Sequence, residues 1–258
     1  MYVGSMLDLP IRAMLVDCDG TLAPERMEVS PAVRRAVTSL AQRMPVGIIS
    51  SRDHHDVGWL AVDLGLTAPQ VSEGGARVFR AGESVPLWIR TIAADDAQSI
   101  VEFLDERGLT FSAVDGDRRV STSDDIEDWQ LTRVTADSLK PQQAELIASG
   151  FGSSMAGVHT EIVVRTDNGD WMVDFTHAEA TKASGAAEFA RLVEVPLRQV
   201  VGVGDGYNDL PLLRACGSAV AMGHAPPSIR AAADYVAPTA WDDGLATAID
   251  EFIAPRVA

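Results

Sequence analysis

Asp17 and Asp19 stand one residue apart at the end of the apolar run from Ile11 to Val16, and Gly20-Thr21 follow them. In extended backbone, residues i and i+2 face the same side, so the two carboxylates leave the run together while Cys18 points away. Carboxyl groups that close share a cation, share a proton or divide roles between them; the same pattern also occurs as a solvated turn. A second acidic segment, Gly204-Asp205-Gly206-Tyr207-Asn208-Asp209, ends the apolar run Val200 to Val203. Acidic oxygens from two strand ends suit Mg²⁺, which takes oxygen ligands and keeps several waters. Aspartates so dense repel one another strongly without a cation. Ser50-Ser51-Arg52-Asp53 closes a third apolar run, Val46 to Ile49. A hydroxyl there is suited to a phosphoryl oxygen, and the same residues are suited to helix capping. Lys182 opens a helical pattern after Thr181. A cation in a first turn opposes the helix dipole, a small local cost that a nearby anion turns to advantage.

The elements that must position these groups follow from the spacing. Ser30-Pro31 is a helix start, and Val33, Ala36, Val37, Leu40, Ala41 and Met44 recur on one helical face up to Pro45. With apolar runs on either side, this predicts a βαβ unit and parallel strands. Asp53 caps the next helix, with His54 and His55 read as surface residues, and Glu73-Gly74-Gly75 reads as a tight turn. From residue 79 the rhythm changes to helix-strand-strand, repeated, with Asp167-Asn168-Gly169 as a hairpin turn. Trp88, Trp129 and Trp171 are assigned to sheet packing. The βαβ rhythm returns after residue 178 and ends in a closing helix from Asp242 to Phe252. The fold class is therefore α/β: a Rossmann-like, doubly wound parallel sheet over 1–78 and 179–258, interrupted by an α+β insertion over 79–178.

Composition narrows the partners. With 47% hydrophobic and 22% charged residues, the 258-residue chain reads as globular. No apolar stretch approaches the roughly 18–20 residues that span a bilayer. The first residues lack a secretory pattern, which points to the cytoplasm. A formal net charge of −16 disfavours nucleic acid and anionic membrane surfaces. It leaves room for a small phosphorylated substrate beside local cations. Cys18 and Cys216 lie on apolar patterns and read as buried reduced thiols.

Asp17-Cys18-Asp19-Gly20-Thr21-Leu22 resembles the first motif of the haloacid dehalogenase superfamily, and Gly204-Asp205-Gly206-Tyr207-Asn208-Asp209, followed by Leu-Pro-Leu-Leu, resembles the fourth. Ser50-Ser51-Arg52 aligns with the second motif, Thr-Gly-Arg in Cof-like members, and Lys182 with the third. The resemblance implies an Mg²⁺-dependent phosphomonoesterase in which Asp17 is the nucleophile and Asp19 the general acid/base. Asp17, Asp19 through its backbone carbonyl, Asp205 and Asp209 then form the metal set. Ser50, or Ser51 in the alternative register, would bind phosphate with Lys182 and Asn208. The insertion would be a C2-type cap like those of sucrose-phosphate and mannosyl-phosphoglycerate phosphatases. Arg133, Arg165 and His177, together with Arg118 and Arg119, are its candidates for meeting a sugar phosphate or a phosphoglycolate-like acid. A phosphomutase shares all four motifs. A non-catalytic phospho-aspartate switch shares the acidic pocket, hydroxyl and lysine, but the second acid, the insertion and the length stand against it.

Overall fold

Strand β1 (Ala13–Val16) is buried on both sides. Met14 and Val16 enter one apolar cluster, Ala13 and Leu15 another. A strand with two dry faces needs helices on both, the condition of a parallel sheet. In the computed structural model, which describes residues 9–24, 27–164 and 169–257, the chain continues through helix α1 (Pro31–Ala41), strand β2 (Val46–Ile48) and helix α2 (His54–Asp63). Ser30 Oγ accepts from the Val33 N–H to cap α1, and the Asp53 carboxylate accepts from the N–H groups of His55 and Asp56 to cap α2. Strands β3 (Gln70–Ser72), β4 (Arg77–Phe79) and β5 (Trp88–Ile89) follow and pair in that order.

The insertion holds helix α3 (Ala94–Glu106), strands β6 (Phe111–Asp115), β7 (Arg118–Val120) and β8 (Leu131–Leu139), helix α4 (Pro141–Ser154), and strands β9 (Val158–Val164) and β10 (Trp171–His177). Its sheet runs β7-β6-β8-β10-β9, with antiparallel pairs throughout. Ile100, Leu104, Ile147 and Phe151 from the two helices pack with Ala113, Val134, Val173 and Phe175 of the sheet. Each large side chain so buried contributes about 1.5–3 kcal/mol. Trp129 and Trp171 pack against this cluster, and Trp88 against one in the first unit. The hairpin turn expected at 167–169 lies largely outside the described residues.

The chain then forms helix α5 (Lys182–Leu192), strand β11 (Val200–Gly204), helix α6 (Leu210–Ala215), strand β12 (Ser218–Ala221), the short helix α7 (Pro227–Arg230), strand β13 (Tyr235–Val236) and helix α8 (Gly244–Ala248), which continues as a π-turn to Ile253. The parallel sheet reads β13-β12-β11-β1-β2. Chain order reverses between β1 and β11, and their carboxyl ends are where such sheets open a crevice.

Two compact units result, Met1–Trp88 with Thr181–Ala258, and Ile89–Ala180. The expected break at 79 falls inside β4. That strand stays with the first unit because Gln70 pairs with Phe79 and the Leu87 N–H donates to the Val78 carbonyl. Both cysteines are buried free thiols; burial pushes the Cys216 thiol up to about 12. Among the described residues, no helix is long and apolar enough to cross a membrane.

Candidate active site

Asp17 sits where β1 ends, its N–H donating to the Val203 carbonyl of β11. Lys182 Nζ donates to Asp17 Oδ1 and to Asp209 Oδ1, each at 2.6 Å. All three residues are buried, so each charge depends on the others for the solvation it has lost. Two local devices deliver the ammonium. Thr181 and Ser184 form a reciprocal capping box that fixes the first turn of α5. The Glu73–Gly75 turn presses on the same place: a Cβ on Gly75, at φ +109°, would lie 2.1 Å from the Thr181 carbonyl oxygen.

Asp209 Oδ2 accepts from the N–H groups of Asp205 and Gly206, both at 2.9 Å, closing the loop after β11. Asp205 Oδ1 accepts from Thr21 Oγ1 at 2.9 Å, and its Oδ2 lies 3.2 Å from His224 Nε2. Gly20, at φ +77°, lets the first acidic turn approach: a Cβ there would be 2.5 Å from Asp205 Oδ2. Carboxylate oxygens of Asp17, Asp205 and Asp209 all lie within 4.8 Å of one another.

Three carboxylates thus face one ammonium. Burial, then repulsion from Asp209, pushes the Asp17 carboxyl well above its usual range despite Lys182. Burial and Asp209 raise Asp205 in the same way. Burial alone would lower Lys182, but the two carboxylates outweigh it and keep the ammonium charged. An all-oxygen cluster short of positive charge fits a divalent cation. Asp209 enters it with both oxygens already hydrogen-bonded, and the Asp19 side chain is not among its members.

The chain turns at Cys18, and the two aspartates part company. Asp19 is half-exposed and accepts both hydrogen bonds of an Arg52 fork. Ser50 is buried, its Oγ accepting from the Arg52 N–H at 3.1 Å. Ser51 Oγ accepts from Asn208 Nδ2 at 3.2 Å, joining the second and fourth stretches. Sequence reasoning gave no partner for Arg52, Thr21 or His224. It also misplaced His54, which is tucked against the buried carboxylate of Glu73 rather than lying on the surface. Glu73 Oε1 accepts from the His54 N–H, and its Oε2 accepts from buried Arg77. Glu73 adopts φ 53°, a left-handed conformation that a side chain rarely takes without such support.

The candidates in the inserted unit do not converge. Arg133 lies opposite Val114 and Thr176, in the alternate set to Val134 and Ala136, which pack with the helices. His177 belongs to the set of Val173 and Phe175, so it falls on the other face. Its Nδ1 accepts from the Glu179 N–H. Arg118 pairs with Glu127, and Arg165 lies outside the described residues.

A family model described as haloacid dehalogenase-like hydrolase matches residues 14–149 and 151–249. The chain is 23% identical over 244 residues to a phosphoglycolate phosphatase of Methanothrix thermoacetophila, covering 95% of this chain and 98% of the relative. It is 21% identical over 253 residues to a 5-amino-6-(5-phospho-D-ribitylamino)uracil phosphatase of Bacillus subtilis, covering 95% and 97%. Among solved structures, a haloacid dehalogenase-like hydrolase from Bacteroides thetaiotaomicron superposes with a TM-score of 0.82 at 19% identity, over 93% of this chain and 98% of that one. A subclass IIB sugar phosphatase of the same superfamily gives 0.76 at 20% identity, over 93% and 98%. The chain belongs to the haloacid dehalogenase-like hydrolase family and is a phosphatase.

Proposed function

We propose that the chain is an Mg²⁺-dependent phosphomonoester hydrolase that works through an aspartyl-phosphate on Asp17. The observation that carries this reading is the buried Lys182 ammonium shared between Asp17 and Asp209 at 2.6 Å, with Asp205 in the same oxygen cluster. Asp17 Oδ attacks phosphorus and the ester P–O bond breaks, while Asp19 gives a proton to the departing oxygen. Water then attacks the phosphoryl group and loses a proton to Asp19, releasing inorganic phosphate and restoring the Asp17 carboxylate. Lys182 and the Ser50 or Ser51 hydroxyl oppose charge on the equatorial oxygens. Asp209 holds Lys182 and the Asp205–Gly206 backbone in place. Asp17, Asp205 and the Asp19 carbonyl would hold the cation, which supplies positive charge where phosphoryl oxygens gather it.

The inserted unit would serve as a C2-type cap. The substrate class is a small phosphorylated metabolite, a sugar phosphate or a phosphoglycolate-like acid. Two relatives of nearly equal similarity carry names with different substrates, which supports the class and no member of it. A phosphate-release screen across phosphorylated sugars and acids, with and without Mg²⁺, tests the reading. Inorganic phosphate should accumulate only with the metal. Isomerised product without free phosphate would mean a mutase, and an aspartyl-phosphate lasting hours would mean a switch.

A thermal measurement probes the cation separately. Asp17 and Asp205 titrate in the folded chain above their ordinary value of 3.8. The metal-free fold therefore binds more protons there than the unfolded chain, and loses that contribution as pH rises from about 4 through the folded values. A cation that binds the ionised cluster reverses this. Saturating Mg²⁺, worth about 2.7 kcal/mol at 100 times Kd, should raise Tm by several degrees over EDTA, and the gap should widen with pH. A gap that stays flat across that window would count against the cluster as the metal site.

A further inference from the structure

Arg52 takes no part in the steps above, yet it is the one side chain that hydrogen-bonds Asp19 among the described residues. Its Nε donates to Asp19 Oδ2 at 2.7 Å and its Nη2 to Oδ1 at 2.8 Å. We propose that Arg52 is the positioning residue for Asp19, aiming the carboxyl that carries the proton and tying its orientation to the hydroxyl segment at the end of β2. The assignment rests on the phosphomonoesterase reading of this site.

Asp19 needs such a device. It is half-exposed, its neighbour Gly20 is in the left-handed region, and it lies outside the buried cluster that holds Asp17. An aspartate so placed swings between rotamers unless something fixes both oxygens, and proton transfer demands reach within hydrogen-bond distance. A planar guanidinium fork fixes two oxygens at once, which a lone ammonium does not.

Arg52 is itself held from three sides. Its Nη1 donates to Asp56 Oδ2 in the first turn of α2 at 3.2 Å. Its backbone N–H donates to Ser50 Oγ at 3.1 Å. Its carbonyl accepts from the Glu73 N–H at 2.8 Å, on the turn that braces the start of α5. The fork thus hangs from the same backbone as the hydroxyl, and a shift at Ser50 is felt at Asp19.

Leaving-group dependence separates this role from a structural one. 4-Nitrophenolate departs without a proton, whereas phenolate needs one far more. In single turnovers, Arg52→Ala should slow leaving-group release from phenyl phosphate about 100-fold, within the range of general acid catalysis. Release from 4-nitrophenyl phosphate should slow less than about tenfold, with KM little changed for either ester. Arg52→Lys should recover little of the loss. In an Asp19→Asn background, Arg52→Ala should add nothing, because a residue acting through another has no separate effect.

KM rising equally for both esters in both backgrounds would place Arg52 on the substrate and overturn the assignment. Equal slowing of both esters with a lowered Tm would do the same in favour of a structural role. Crystal structures of the parent and Arg52→Ala give a readout independent of turnover: an Asp19 carboxyl unmoved in the variant would also overturn it. A parent enzyme that releases neither phenol, or an Asp17→Asn variant as active as the parent, would instead sink the phosphatase reading itself.

Discussion

Asp17→Asn should fold as the parent does and lose turnover by on the order of 10⁴-fold or more, as enzymes do when a nucleophile is removed. The amide matches the carboxylate in shape, and its oxygen can still accept from Lys182 Nζ. It cannot attack phosphorus to leave an acyl phosphate. The substitution also removes one of three carboxylates crowded around a single ammonium. Repulsion within the cluster falls, so Tm measured in EDTA should hold or rise. The pairing of high stability with lost phosphate release marks the residue as chemical rather than architectural. Turnover at the parent rate would remove Asp17 from the mechanism.

The second large effect belongs to stability. Lys182→Met keeps an unbranched apolar stem in place of the lysine's and deletes the ammonium, leaving Asp17 and Asp209 buried without their shared donor. Lys182 is 3% exposed, so solvent does little to soften the loss. Removing one partner of a buried pair costs about 3–5 kcal/mol, and urea unfolding in EDTA should show a loss of that size. Excess Mg²⁺ should recover part of it by supplying positive charge to the same oxygens, while phosphate release stays low. A change under about 1 kcal/mol would mean that the pair is solvated rather than buried.

Much of this centre was legible before any coordinates. Val16 leads into Asp17 and Gly204 into Asp205, and apolar runs of that length with a helix between them dictate parallel strands whose ends share an edge. Thr181 ahead of Lys182 announces a helix start. The partners across the cleft were not legible, for a physical reason. Arg52 and Asp19, Thr21 and Asp205, and Asn208 and Ser51 are each single contacts between loops, without periodicity to betray them. His54 shows the same limit: a histidine at a helix start looks solvated until the buried carboxylate of Glu73, brought back to it beyond α2 and β3, demands donors. In the inserted unit, the opposite faces of Arg133 and His177 follow from the pairing of Thr176 with Arg133, a register set by which strands meet and not by alternation alone.

The place of β1 in the parallel sheet also bears on how the enzyme is made. One of its neighbours, β2, leaves the ribosome soon after it, but the other edge waits from Ala13 until Val200 has been translated, about 10–40 s at the usual elongation rates. During that interval the contiguous module between them can fold, while β1 offers an open strand edge to other nascent chains. Products truncated before Val200 should therefore aggregate readily and carry no activity, since the acidic segment from Gly204 to Asp209 and the partner strand arrive together.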